Sequence, residues 1–137
     1  MKASFDYDER LEPPAPVLDL RIGPPAGEAA TAFQALVDTG ADCTLVPEAT
    51  ARALRLPAIG EMWIEGVAGA SRRATVHAAR VEFAGVCRTA RVVSLGDEAI
   101  LGRDLLNGVV ALFDGPALTL SLTGVTRPRR SSRRAGR

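Results

Sequence analysis

Leu18, Leu20 and Ile22 alternate with Asp19 and Arg21, the two-residue period of a strand with one face buried, and Gly23-Pro24-Pro25-Ala26-Gly27 follows as a turn. The apolar run from Ala32 to Val37 is predicted as the hairpin partner, and it delivers Asp38 to the next turn. Pro47 to Leu54 is predicted as a short helix. Pro47 suits a first turn, Glu48 is favourable near the positive end of the helix dipole, and Pro57 and Gly60 stop the element. Met62 to Gly66 and Ala74 to Ala78 are predicted as the arms of a hairpin whose tip, Val67 to Arg73, is rich in small residues. Arg80 to Phe83 and Arg88 to Leu95 read as two further strands parted at Gly85. Val109 to Phe113 and Ala117 to Leu122 read as a last hairpin around Asp114-Gly115-Pro116.

The pattern thus predicts a mostly-β domain over residues 17 to 122 with one or two short helices. Residues 1 to 16 are charged and Pro-rich and are predicted to be a loose arm. Residues 123 to 137 form a basic tail.

Composition agrees with a single domain: 137 residues can bury a core without disulfides, and 47% apolar residues with only 4% aromatics, 13 Gly and 9 Pro favour many short elements. The charge is uneven. Residues 127 to 137 carry six Arg and no acid, so a whole-chain charge of +1 leaves the first 126 residues at −5. With so little apolar content, the tail over residues 127 to 137 is expected to be disordered. It is read as solvated, with a nucleic-acid or acidic-partner anchor as the alternative, since no aromatics interleave for base stacking.

Cys43 and Cys87 permit one disulfide, but the opening Met-Lys-Ala-Ser-Phe-Asp-Tyr-Asp lacks an apolar signal region, so reduced thiols in the cytoplasm are expected. No apolar segment approaches the ~20 residues of a membrane span. A single histidine and the absence of CxxC spacing argue against a metal site, and no cofactor is expected. His77 is read as structural and Trp63 as packing.

The candidate chemistry lies in Ala35-Leu-Val-Asp-Thr-Gly-Ala-Asp-Cys-Thr-Leu-Val-Pro47, where Asp38 leaves an apolar run and Thr39 and Gly40 follow at once. A carboxylate at such a corner sits where a backbone can approach closely. The second segment is Ala99-Ile-Leu-Gly-Arg-Asp-Leu-Leu-Asn107, with Gly102 falling 64 positions after Asp38. Alone, Asp followed by Ser or Thr and Gly arises by chance in roughly one chain of this size in twenty. Together, Leu36-Val-Asp-Thr-Gly-Ala-Asp42, a hairpin with a small-residue tip and Ile100-Leu-Gly-Arg-Asp-Leu-Leu106, in that order, resemble the retropepsin family of single-domain aspartic proteases over residues 17 to 122.

The resemblance implies an all-β, closed or partly open barrel with a flap hairpin, acting as a homodimer on a peptide or protein substrate. Peptide hydrolysis without a covalent intermediate needs one group to take a proton from water and another to give one to the carbonyl oxygen. Two carboxylates about 3 Å apart supply both by sharing one proton. This chain has one triplet, so each subunit is expected to give one Asp38 across a two-fold axis.

By the same resemblance, Thr39 braces the carboxylates across the axis and Gly40 leaves room for substrate. Ala41 stands where two-lobed relatives usually place a Ser or Thr donor, which implies a weakly acidic to near-neutral optimum. Asp42 and Arg103 match a structural ion pair, with scattered surface charges as the alternative, and Gly66, Val67, Ala68, Gly69 and Ala70 match the flap tip. Cys43 is a pocket candidate with a small buried hydrophobe as the equal alternative, and Leu45, Ile100 and Leu101 are candidates to line the pockets as well as the core. The tip is less Gly-rich than in viral members. Arg72 and Arg73 beyond it are read as a solvated turn, with acidic side chains of a substrate as the alternative.

Viral members pair their chain ends into a dimer sheet. The basic tail is poorly suited to that, so dimer strands from elsewhere, or a weak dimer, are expected. Since a fold does not guarantee activity, a retropepsin-like module that binds peptides without turnover is the alternative from another class.

Overall fold

Alternation along the chain resolves into ten strands and two short helices in the computed structural model, which describes residues 2–124. In chain order they are β1 (Lys2–Asp6), β2 (Val17–Gly23), β3 (Thr31–Val37), β4 (Leu45–Val46), α1 (Glu48–Ala53), β5 (Ala58–Glu65), β6 (Ser71–Phe83), β7 (Val86–Ser94), β8 (Ile100–Leu101), α2 (Arg103–Leu106), β9 (Val109–Asp114) and β10 (Thr119–Gly124). β2 and β3 form the hairpin read from the sequence, and Leu18, Leu20 and Ile22 are buried as their spacing predicts.

β2, β3, β8, β4, β7 and β6 pair in that order, and a further β2–β6 ladder (Arg21↔Glu82 to Gly23↔Arg80) closes them into a six-stranded barrel. Every strand of the ring therefore has two neighbours, which removes the exposed edge of an open sheet. β5 lies outside the ring and pairs only with the first half of β6. Alternate residues from the ring, among them Leu20, Val81 and Val92, fill the barrel, and Leu105 and Leu106 of α2 join them. Each fully buried side chain of this size contributes roughly 1.5–3 kcal/mol.

Below the barrel core lies a second sheet, β1-β10-β9, whose inner face carries Phe5, Leu120, Leu122, Val109 and Ala111. Its order corrects one expectation: Lys2–Asp6 is not a loose arm but an antiparallel strand against β10 (Lys2↔Thr123 to Asp6↔Thr119). The signal was short, because Ala3 and Phe5 alone face the core. Several boundaries also shift, and β5 begins at Ala58 rather than at the predicted Met62. β6 runs unbroken through His77, Ala78 and Ala79, and β10 extends to Gly124. The Arg-rich tail from 127 to 137 lies outside the described residues. Among the described residues, no helix is long and apolar enough to cross a membrane.

Candidate active site

Asp38 is the first residue past β3, and the strand beside it fixes where it emerges. Leu36 pairs with Ile100 and Val37 with Leu101 in a parallel ladder, and the Asp38 N–H donates to the Leu101 carbonyl at 3.1 Å. The chain then turns, with the Ala41 N–H donating to the Asp38 carbonyl at 3.2 Å. Inside this turn the Gly40 N–H donates to Asp38 Oδ1 at 2.8 Å. A β-carbon at Gly40 would come within 3.1 Å of that oxygen, so glycine lets the amide and the carboxylate meet. Asp38 is half-buried, while Thr39 and Gly40 are exposed at the rim of the barrel.

The segment around Gly102 buttresses this turn from behind. A β-carbon on Gly102 would stand 2.5 Å from the Cys43 carbonyl oxygen and 2.7 Å from its carbon, so the two backbones touch in a way that any larger residue forbids. The following Arg103 N–H donates to the Ala41 carbonyl at 2.9 Å. Its guanidinium splits between two acceptors, with Nη1 2.7 Å from the Thr39 carbonyl and Nη2 2.6 Å from Asp42 Oδ1. The ion pair lies at the surface, Asp42 being 85% exposed, whereas the bond to Thr39 ties the triplet itself.

Two residues of this frame carried no sequence signal that singled them out. Thr44 is wholly buried; its N–H and hydroxyl donate to the two Asp104 carboxylate oxygens at 3.1 and 2.8 Å, and its hydroxyl oxygen accepts from the Gly102 N–H at 3.1 Å. The only hint lay in the Asp that follows Gly102-Arg103. The polar cluster fixes the spacing between the Asp38 turn and α2, because each buried polar group has a specific partner.

The four pocket candidates separate. Cys43 lines a cavity of about 410 Å³ with Ile59, Met62, Val76, Val93 and Asp104. Leu45 and half-buried Ile100 pack in a small cluster with Ala74 and Val93. Leu101 does not face a pocket: adjacent strand residues point to opposite sides, and it is wholly buried in the main core. The Cys43 thiol is pushed above its ordinary pKa by burial first, then by the negative charges of Asp104 and Asp42. Both cysteines are free thiols.

The hairpin of β5 and β6 extends past this cavity. Its tip, Gly66 to Ala70, makes a short 3-10 turn in which Ala68 and Gly69 both take left-handed backbone, φ 64 and φ 75. Arg73 pairs with Glu61 across the two strands, while no ion pair among the described residues includes Arg72. Trp63 departs from its expected packing role: it is 66% exposed, since nothing overlies that face of the two-stranded arm. His77 is buried in the sheet, with Nδ1 3.2 Å from the Leu56 carbonyl and Nε2 2.8 Å from Ser94 Oγ. A carbonyl only accepts, so Nδ1 is the donor of the first of these bonds.

Residues 29–108, more than half of the chain, match the family described as "gag-polyprotein putative aspartyl protease". The chain belongs to the retropepsin-like aspartic protease family. The matched span holds both segments of the frame, Asp38 to Thr44 and Gly102 to Asp104.

Among solved structures, the retropepsin-like chain is similar to a retropepsin-like aspartic protease from Rickettsia conorii, with 16% identity, 89% of each chain covered and a TM-score of 0.66. It is also similar to EIAV protease complexed with the inhibitor HBY-793, with 24% identity, 68% of this chain and 86% of that one covered and a TM-score of 0.53. At these identities the likeness carries the fold. No curated protein sequence matches the chain.

Proposed function

We propose that the protein is an aspartic endopeptidase whose active unit is a homodimer, with one Asp38 from each copy at a shared site. One observation carries the reading: the other carboxylates of the neighbourhood already have partners. Asp42 binds Arg103 and Asp104 binds Thr44, whereas Asp38 receives only the Gly40 amide among the described residues. A second copy is the source of a carboxylate that the geometry leaves open.

In that dimer, one carboxylate removes a proton from water as its oxygen attacks the peptide carbonyl carbon, and the other gives its proton to the carbonyl oxygen. Collapse of the tetrahedral adduct breaks the C–N bond, and the nitrogen leaves with a proton from the site. Two like charges this close share one proton, so the pair starts in the required mixed state. The hairpin tipped by Gly66 to Ala70 is the flap that closes over substrate and excludes water. Ile59 and Trp63 on β5 and Val67 at the tip, 51%, 66% and 96% exposed, offer apolar surface to a substrate.

The test is cleavage of a mixed peptide library by the full chain and by Asp38→Asn, read against protein concentration. Wild type should cleave with a specific activity that falls on dilution, and Asp38→Asn should be inactive while keeping its fold. Equal cleavage by both would remove Asp38 from the chemistry. No cleavage by either at any pH would leave a peptide-binding module.

A further inference from the structure

Thr44, His77 and Ser94 are the polar side chains buried among the described residues. Thr44 belongs to the frame behind Asp38. The other two form a pair of their own, with His77 Nε2 2.8 Å from Ser94 Oγ, and the proposed hydrolysis uses neither.

This pair opens onto a separate cavity. Val76 pairs with Val93 across β6 and β7, Thr75 pairs with Ser94, and successive residues of a strand point to opposite faces. Val76 and Val93 line the cavity beside Cys43. Thr75, His77 and Ser94 therefore face the other side of the sheet, where they line a cavity of about 390 Å³ together with Glu48, Arg52 and Arg55. That volume lies at the lower end of the roughly 300–1,000 Å³ typical of small-molecule sites.

The rim of this cavity is basic. Arg52 comes from the last turn of α1 and Arg55 from just beyond it, and among the described residues neither forms an ion pair. Glu48 stands four positions before Arg52, a spacing at which acid and base can meet on a helix, yet the two do not pair. Two cations thus face one acid. Arg55 also holds left-handed backbone, φ 51, at the position past a helix end where glycine is the usual residue. The chain keeps an arginine there at a conformational cost.

The floor supplies neutral donors. Thr75 and Ser94 stand directly opposite each other, which sets two hydroxyls side by side. His77 Nδ1 donates to the Leu56 carbonyl at 3.2 Å and so ties the segment that carries Arg55 to β6.

We infer that this cavity binds a small molecule through a phosphate group, clamped by Arg52 and Arg55 at the rim and met by the Thr75 and Ser94 hydroxyls on the floor. The planar fork of arginine matches phosphate oxygens in pairs. Because the donors come from α1, β6 and β7, a tetrahedral group with acceptors in several directions fits them better than a planar carboxylate. The bound group joins the end of α1 to the two strands at the root of the hairpin. Asp38 takes no part in it.

His77 is the one histidine of the chain, so its imidazole proton resonance in the untagged protein reports on this cavity alone. The experiment titrates the full chain with inorganic phosphate and, separately, with acetate, at fixed pH and at an ionic strength held with sodium chloride. Arg52, Arg55 and Arg91 are all exposed, so Arg52→Ala, Arg55→Ala and Arg91→Ala should keep the fold, which circular dichroism checks. Phosphate should move the resonance to saturation with a dissociation constant on the order of 1 mM. Arg52→Ala and Arg55→Ala should each weaken binding roughly tenfold, and Arg91→Ala, in the other cavity, should leave it unchanged. A resonance indifferent to phosphate, one that acetate moves as effectively, or an affinity that Arg91→Ala lowers as much as Arg52→Ala and Arg55→Ala would overturn the inference. Asp38→Asn should bind phosphate as wild type does, so the site stands or falls apart from the peptidase reading.

Discussion

Arg103 Nη1 lies 2.7 Å from the carbonyl oxygen of Thr39, joining residues 64 positions apart at the centre of the candidate site. The same guanidinium reaches Asp42, but that carboxylate is 85% exposed and solvent screens the pair. The two contacts therefore differ in worth. Arg103→Ala should cost about 1 kcal/mol after allowance for its partial exposure, and Asp42→Ala less than ~0.5 kcal/mol. Urea unfolding of the two variants measures this directly. Equal losses would mean that the ion pair, not the carbonyl bond, holds the turn. Arg103→Lys keeps the charge but not the fork, so its cleavage should fall towards that of Arg103→Ala.

Thr44 is the buried hub of the frame. Thr44→Val preserves shape but removes the acceptor of the Gly102 amide and the hydroxyl donor to Asp104, and it should destabilise the fold by about 1–3 kcal/mol. Thr44→Ser keeps both bonds and should lose less. Thermal unfolding that ranks Val at or above Ser would remove the hydrogen bonds from the account.

Ala41 offers no side-chain donor beside Asp38. If the proposed dimer holds, introducing one by Ala41→Ser should move the acid limb of the cleavage profile to lower pH, from a wild-type optimum expected to be weakly acidic to near neutral. The profiles of both proteins on one peptide decide it. A wild-type optimum below about 3 contradicts the argument.

Cys43 carries a thiol pushed up by burial and by Asp104 and Asp42. The folded state therefore keeps the thiol proton to higher pH than the unfolded chain does. This contribution to stability is present below the ordinary thiol range and is lost as pH rises through the folded value. Cys43→Ala should flatten the alkaline fall in stability relative to wild type. Iodoacetamide at neutral pH should label exposed Cys87 before Cys43, read by peptide mass mapping, and a peptide ligand in the adjoining cavity should slow Cys43 further.

How much of this was legible follows from length and separation. β2 and β3 each run seven residues, β2 with clear alternation and β3 as an almost continuous apolar run, long enough for both to show in the sequence. β4 and β8 are two residues each, too short for any period, and exist because the barrel needs them between longer neighbours. β6 looked broken at Ala79, which has little preference for strands, yet its pairing with Ala90 of β7 overrides local propensity. Asp38 stood out through its immediate neighbours. Thr44 and Asp104 did not, since a bond spanning 60 positions leaves no local pattern. Burial sorted Leu101 from Cys43, a distinction that two apolar side chains near a motif do not reveal by themselves.

The thirteen-residue span of β6 turns the hairpin into a cantilever. Its free end, Ser71 to Ala74, is laced to β5 alone; Thr75 to His77 lies between β5 and β7; Arg80 to Glu82 is clamped between β7 and β2. Stiffness thus rises stepwise along one strand, and the clamp is the same ladder that seals the barrel. A load at Val67 reaches that seam as torque, so substitutions near Arg21 and Glu82 would retune the tip without touching it.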